Sequence, residues 1–433
     1  MNIAIIGSGY VGLTTGVCLA EFGHKVISMD IDGSKIETLK AGKSPIYEPG
    51  LEELLKKNLK NNNIEFTTDL KKTVEESEII FICVDTPAKK DGHADLRYVE
   101  QVARDISQHM KGYKVIVDKS TVPLETAERV KETILKYSPG YTKFDVISNP
   151  EFLREGSAVK DTMYPDRIVI GADNANAEKL ILQAYEPLIK QSKTEVRIVS
   201  VRSAELIKHG ANSFLAMKIS FANLIAEVCE NAGADATEVL EAIGLDDRIG
   251  MHFLRQGIGY GGSCFPKDVA AFQKTLETMG IDNALIQAIE NINENAWRRF
   301  VKKIEKEVWV FEGKTIGILG LAFKPETDDI RNAPALKIIK SITENGAKVK
   351  VYDPQAMDRV KEKFPDLQYC TDAHDTAQNT DALVICTEWK EFLELDLLKI
   401  KKLMKTPVIF DGRNAFDKEK ALEAGFRYFG IGR

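Results

Sequence analysis

Gly7-Ser-Gly9-Tyr-Val-Gly12 stands between a short apolar run, Ile3–Ile6, and a helical apolar pattern from about Val11 to Phe22. A strand that turns through three glycines directly into a helix constrains a chain strongly. The glycines permit a tight turn and close backbone approach, and the helix N-terminus offers unpaired N–H groups to a pyrophosphate. The next apolar strand, Lys25–Met29, ends in Asp30. A carboxylate there accepts from a ribose 2′-hydroxyl and repels a 2′-phosphate, so the expected cofactor is NAD rather than NADP.

Further apolar strands are expected at Ile79–Val84, Lys114–Val117, Asp145–Ile147 and Arg167–Ile170, with helical patterns between them. Such alternation predicts a parallel, doubly wound sheet. The C-terminal part repeats the order: a strand at Thr315–Leu319, a helix at Ala333–Glu344, and a strand at Lys348–Tyr352 ending in Asp353. Ser77–Thr86 also resembles Thr380–Glu388, and Val115–Thr121 resembles Val408–Asn414. Three echoes in one order argue for two related sheets. The second turn, Gly317-Ile-Leu-Gly320-Leu-Ala-Phe-Lys324, has lost the glycine fingerprint. Two readings stand: a site for a different phosphorylated ligand, or a decayed duplicate kept for packing.

From about Arg202 to Asn231 there is no proline, and glycine occurs only at Gly210. Apolar residues recur there at helical spacing but on no single narrow stripe, which predicts one helix of about 45 Å, buried on more than one side. The fold expected is α/β: two Rossmann-like doubly wound parallel sheets joined by a central helical domain with one long helix. The expected domains are residues 1–198, 199–300 and 301–433. A length of 433 residues suits two or three domains.

The net charge of −6 gives no reason to expect nucleic acid or a membrane surface as a partner. An anionic substrate then needs a local cluster of Lys and Arg. No apolar run approaches membrane-spanning length, and the chain enters its first strand with no signal-like segment before it, so the cytoplasm is the expected location. The six cysteines are scattered without a C-x-x-C pair, which suggests neither a disulfide framework nor a metal site.

Gly257–Asp268, GIGYGGSCFPKD, is the most unusual stretch. Gly257, Gly259, Gly261 and Gly262 suit neither helix nor packed strand, and they let a flexible loop approach something closely. Cys264 follows, beside Lys267 and Asp268, and a neighbouring ammonium favours the nucleophilic thiolate. A lone loop cysteine more often only fills space; the glycine-rich setting weighs against that here. Lys208 and Asn212, four residues apart, share one helix face, either toward a site or as a solvated stripe. Asn149-Pro-Glu151-Phe-Leu-Arg-Glu155-Gly and Ser120-Thr121-Val-Pro123 both follow strands, at the sheet edge where ligands bind.

These residues together, with FKPETDDIRNAP at 323–334, resemble the UDP-glucose/GDP-mannose dehydrogenase family, end to end and in the family's order. The GGSCFPKD form is most similar to the branch acting on UDP-glucose. The resemblance implies a four-electron oxidation of UDP-glucose to UDP-glucuronate with two NAD per substrate. Cys264 would carry a thiohemiacetal and then a thioester, and Lys208, Asn212, Asp268, Thr121 and Glu151 would complete the catalytic set. It implies NAD contacts from Gly7, Gly9, Val11, Gly12, Asp30, Lys35, Thr86, Thr121, Glu155, Lys267 and Arg331. The UDP-sugar would be held by Glu151, Phe152, Leu153, Arg154 and Glu155, by Lys208 and Asn212, and by Phe253, Leu254, Arg255, Gln256 and Gly257. Gly261, Lys324 and Arg413 complete that set, and Arg248 would reach it from the partner in a homodimer. On this resemblance the second sheet is the UDP-sugar domain.

UDP-N-acetylhexosamines and GDP-mannose are alternative substrates within the family. A non-catalytic, NAD-responsive redox sensor is the rival of another class, but it has no use for Lys208, Asn212 and Asp268. One departure from the family pattern is Asp85, in Cys83-Val-Asp85-Thr86-Pro87, where a small or amide residue is expected. Its carboxylate either weakens NAD binding or points outward.

Overall fold

The computed structural model describes residues 1–87, 89, 91–140 and 143–433. The chain forms two compact units, Met1–Ala211 with Ala270–Met279, and Asn212–Val269 with Gly280–Arg433. The division falls inside two helices, Val201–Ala232 and Cys264–Thr278.

The first unit holds an eight-stranded sheet of β1 (Asn2–Ile6), β2 (Lys25–Met29), β3 (Ile64–Thr67), β4 (Ile79–Ile82), β5 (Lys114–Asp118), β6 (Phe144–Ser148), β7 (Arg167–Gly171) and β8 (Glu195–Val199). Its order is β3-β2-β1-β4-β5-β6-β7-β8. The interiors of the central strands, Ile3–Ile6, Ile79–Ile82 and Val115–Val117, are apolar throughout because both faces are covered. Ile3, Ile5, Phe81 and Val117 join one core, and the alternate residues Ala4, Ile6, Ile80 and Ile116 join another.

The parallel pattern breaks once. β7 is antiparallel to β6, with Ser148 opposite Gly171, so β7 and β8 run against the first six strands. The connection, residues 149–166, contains only a six-residue helix, Ala158–Met163. At 1.5 Å per residue that is about 9 Å, too short to carry the chain back along a strand for a parallel return. The segment therefore stays at the C-terminal end of β6, which is where its residues 149–157 become available.

The second unit holds a six-stranded sheet of β9 (Thr315–Leu319), β10 (Lys348–Tyr352), β11 (Gln368–Tyr369), β12 (Ala382–Ile385), β13 (Val408–Asp411) and β14 (Arg427–Phe429). Its order, β11-β10-β9-β12-β13-β14, is wholly parallel. β12 pairs with β9 as β4 pairs with β1, so the sequence echoes occupy equivalent places.

The helix Val201–Ala232 has 32 residues, about 48 Å at the standard rise. Ala222, Ala226 and Cys229 bury one side of it in the second unit's core, with Leu240 and Phe300. Contrary to the expectation of burial on several sides, Phe214, Phe221, Leu224 and Val228 stand between 40% and 58% exposed. Among the described residues, no helix is long and apolar enough to cross a membrane. Phe300, fully enclosed on the helix Ala284–Val308, anchors that core. Phe300→Ala is expected to lower the unfolding free energy by about 3–5 kcal/mol, read as a lower urea midpoint at unchanged m-value.

Candidate active site

At the first glycine turn the backbone leaves no space for side chains. Gly7 has φ +97°, and a Cβ there would lie 2.7 Å from the Cys83 carbonyl oxygen. A Cβ on Gly12 would overlap the Gly7 oxygen, whereas above Gly9 the nearest atom is Asp85 Oδ1 at 3.9 Å. The helix Tyr10–Glu21 begins here with no acidic residue in its first turn and no side-chain cap on Gly9, the arrangement that attracts an anion. Asp30, buried at the end of β2, accepts from Ser8 N at 2.8 Å and from Lys35 Nζ at 2.8 Å. Gly7, Gly9, Val11, Gly12, Asp30 and Lys35 are thus gathered at one end of the sheet. Thr86 Oγ1 donates to the Thr121 carbonyl at 2.8 Å, tying the loop after β4 to the loop after β5.

The loop after β6 carries a second cluster in this unit. Glu151 Oε1 and Lys208 Nζ are 2.9 Å apart, and each side chain is about 95% shielded (4% and 5% exposed). Glu151 Oε2 also accepts from Leu153 N at 2.8 Å. The Lys208 ammonium lies 5.4 Å from the Phe152 ring centroid, and the Arg167 guanidinium stacks over the same ring at 4.0 Å. Arg154 is turned to Asp161, to which it donates from Nε and Nη2. Glu155 is buried.

In the second unit, Cys264 is the first residue of the helix Cys264–Thr278 and half-buried, while the other five cysteines are buried. One turn on, Asp268 is fully buried; its Oδ2 accepts from Asn212 Nδ2 at 2.6 Å, and its Oδ1 lies 3.0 Å from Lys267 Nζ. The glycine loop before Cys264 is fastened rather than flexible. Gly262 N donates to Arg331 O at 2.7 Å, and Asn332 Nδ2 donates to Gly262 O at 3.2 Å. A Cβ on Gly261 would overlap the Asn332 carbonyl oxygen, and one on Gly262 would lie 2.9 Å from the Phe323 ring. What these glycines approach closely is therefore the chain's own 323–332 segment.

Arg413 completes the fastening, donating to the carbonyls of Cys386 (3.0 Å), Gly259 (3.1 Å) and Phe323 (3.1 Å). Lys324 Nζ lies 5.6 Å from the Phe323 ring centroid. Leu254 and Gln256 are buried, Gln256 donating to Thr237 Oγ1. Phe253 has φ +63°, an uncommon conformation for a bulky residue, and packs edge-on against Phe265. Gly257 N donates to Asn223 Oδ1. Arg255 is exposed. Arg331 is paired with Asp329, and Arg248 with Asp246, yet the Arg248 side chain is 88% exposed.

The second-sheet turn is built differently from the first. Asp353, the counterpart of Asp30, is buried and accepts from Leu321 N, Ala322 N and Trp389 Nε1. A Cβ on Gly320 would overlap Thr387, and the next helix begins only at Pro334. The loop between them has become the brace of the glycine segment.

Three family models match the chain. They describe the UDP-glucose/GDP-mannose dehydrogenase family's NAD binding domain at residues 1–189, central domain at 202–295 and UDP binding domain at 317–418. The chain is 48% identical to UDP-glucose 6-dehydrogenase TuaD of Bacillus subtilis over 433 residues, covering 100% of this chain and 93% of that protein. The chain belongs to the UDP-glucose/GDP-mannose dehydrogenase family. Among solved structures, a UDP-glucose dehydrogenase from Pyrobaculum islandicum matches at 38% identity and a TM-score of 0.92, covering 100% of this chain and 97% of that one. A UDP-D-ManNAc dehydrogenase from Pyrococcus horikoshii matches at 28% and 0.87, covering 100% and 99%.

As a member of this dehydrogenase family the chain uses NAD, and the first turn fits that cofactor: an open Gly9, an uncapped helix N-terminus and a carboxylate at the end of β2. Residues that sequence reasoning passed over surround the site. Lys119, buried, donates to Asn149 Oδ1 at 3.1 Å beneath the Glu151 loop, and burial pulls its ammonium below the usual lysine range. Glu205 accepts from Glu125 N and Ala127 N and so holds the segment after Pro123. Tyr10 and Glu48 meet at the 155–158 segment. Only tertiary contact reveals any of these.

Asp85 is exposed, and its Oδ1 is the heavy atom nearest to where a Cβ on Gly9 would stand, so a pyrophosphate bound at this turn would meet its charge. Asp85→Asn is expected to tighten NAD about two- to fivefold by calorimetry at low salt, a gain that shrinks as salt screens the charge. Burial pushes the thiols of Cys18, Cys83 and Cys386 up to about 12. Brief treatment of the native protein with iodoacetamide at pH 7.5 should therefore modify Cys264 alone, as read by peptide mass spectrometry.

Proposed function

We propose that this chain oxidises the C6 alcohol of UDP-glucose to UDP-glucuronate in two two-electron steps on one site, with Cys264 as the covalent carrier. The observation that carries the reading is the half-buried Cys264 at the start of a 15-residue helix, with Asp268, Asn212 and Lys267 in contact one turn behind it. A thiolate at that position faces the positive end of the helix dipole.

NAD, when bound, takes up the hydride of each oxidation. Gly7, Gly9, Val11, Gly12, Asp30, Lys35, Thr86, Thr121 and Glu155, with Lys267 and Arg331, are the residues proposed to hold it. The first oxidation turns the alcohol into an aldehyde, whose carbonyl carbon has no hydride to give in a tetrahedral centre until a nucleophile adds. Cys264 Sγ supplies that bond, forming a thiohemiacetal. The second oxidation leaves a thioester, and water cleaves its C–S bond to give the carboxylate and return the thiolate. Overall, one alcohol, two NAD and one water give one carboxylate, two NADH and three protons.

Lys208 supplies positive charge for oxygen anions formed at C6, and Glu151, its buried partner, fixes the ammonium and assists thioester hydrolysis. Asp268 and Thr121 orient the water, and Asn212 fixes Asp268. The 151–155 loop, residues 253–257, Gly261, Lys324 and Arg413 hold the UDP-sugar. The apolar stripe Phe214, Phe221, Leu224 and Val228 supports a homodimer built on the long helix, and the projecting Arg248 suits a contact with a second copy's substrate. The proposed location is the cytoplasm.

NADH formed per UDP-glucose consumed is the deciding number. Two are expected, and a ratio of one would remove the covalent scheme. Cys264→Ala is expected to lose turnover by a thousandfold or more, on the order seen for lost nucleophiles, while calorimetry shows NAD binding unchanged. UDP-N-acetylglucosamine, UDP-N-acetylmannosamine and GDP-mannose assayed alongside fix the sugar and the base.

A further inference from the structure

Glu48 belongs to none of the segments assigned above. It lies in the Pro45–Gly50 loop ahead of the helix Leu51–Lys60, and its carboxylate is buried. Its Oε2 accepts from the Tyr10 hydroxyl and from Gly156 N at 2.6 Å, and its Oε1 accepts from Ala158 N at 2.7 Å. Gly156 N also lies 3.0 Å from the Tyr10 oxygen. Three segments distant in sequence converge on this one carboxylate. Tyr10 sits inside the glycine turn, between Gly9 and Val11. Gly156 directly follows Glu155, at the end of the loop that starts at Asn149. Ala158 opens the short helix that returns the chain to β7.

The chemistry of the contact makes it stiff. Burial and the neighbouring Glu48 charge hold the Tyr10 phenol protonated, so its hydroxyl remains a donor throughout the ordinary pH range. A carboxylate that accepts from a hydroxyl and two amides forms charge-assisted bonds, stronger than neutral ones and directional. Gly156, with φ +80°, adopts the left-handed backbone that brings its N–H to the carboxylate. A displacement of the glycine turn therefore moves Tyr10, and with it the acceptor of two amides in the 149–158 segment.

We propose that Glu48 and Tyr10 are positioning residues that couple occupancy of the glycine turn by NAD to the ordering of the 149–158 segment, so that NAD and the nucleotide sugar bind cooperatively. The cofactor side rests on the turn alone; the sugar side rests on the function proposed above, which gives residues 151–155 to the UDP-sugar. The coupling is reciprocal by linkage: whichever ligand orders the clamp first spares the second that cost.

Two measurements on wild type, Tyr10→Phe and Glu48→Gln test it. In the first, hydrogen exchange across residues 149–158 is followed with and without NAD, no sugar being present. NAD is expected to slow exchange at Gly156 and Ala158 in the wild type and not in Tyr10→Phe, which keeps Glu48's own amide bonds but cuts the link to the turn. In the second, affinity for NADH, which fills the same turn but cannot accept a hydride and so allows no turnover, is measured by calorimetry with and without saturating UDP-glucose. The wild type should show about fivefold tightening or more, the lower end for coupled sites, and both variants a ratio near one. A merely structural role would lower thermal stability and weaken both ligands while leaving that ratio intact, and this outcome overturns the proposal, as does wild-type exchange indifferent to NAD. If NAD protects the segment through Tyr10 but UDP-glucose does not bind, the clamp stands and the substrate reading fails.

Discussion

The contact that most of the first unit depends on is one with no side chain in it. The Gly7 carbonyl lies where a methyl group on residue 12 would have to be. That approach lets the helix Tyr10–Glu21 start inside the turn, directly after Gly9, with its first amides left without helical partners. Asp30 then holds Ser8 N from the neighbouring strand, so the turn is fixed from below as well. Tyr10 is placed by the same geometry, and through it the turn reaches Glu48 and residues 156–158. The second sheet shows how easily this arrangement is disarmed. With the topology kept, Asp353 is consumed by two turn amides and an indole, and the helix start recedes to Pro334.

Buried charge is the other organising theme. Lys208 with Glu151, and Lys267 with Asp268, are ion pairs largely withdrawn from water. Such pairs rarely add stability over well-packed apolar groups, and removing one partner leaves a charge stranded. Both pairs also receive further bonds, from Leu153 N to Glu151 and from Asn212 to Asp268. Each carboxylate is thereby fixed in orientation as well as in charge.

Much of this architecture was legible before any coordinates. Interior strands such as Ile79–Ile82 and Ala382–Ile385 are apolar at every position, and a helix such as Val201–Ala232 declares itself by its period and by the absence of proline. What escaped were the sheet margins. Glu195–Val199 is largely exposed, and Gln368–Tyr369 is only two residues long, so neither carries the apolar signature of a strand. The reversal at β7 escaped as well, since it follows from the shortness of one helix. At the site, the glycine cluster before Cys264 was plainly unusual, but its reason lies some 60–70 residues away at Phe323 and Asn332. Glu48 was invisible for the same cause: no spacing rule links a loop glutamate to an amide 108 residues on.

Arg413 carries a consequence of its own. Three carbonyl oxygens hold its guanidinium against Cys386, Gly259 and Phe323, and its side chain is mostly shielded. A free arginine gives up roughly 2 kcal/mol of rotamer entropy when it is immobilised. Here that loss is incurred once per molecule, during folding. Under the substrate-binding role proposed for it, an incoming anion would meet a fork already fixed in place, with Glu388 Oε2 3.6 Å from its Nε.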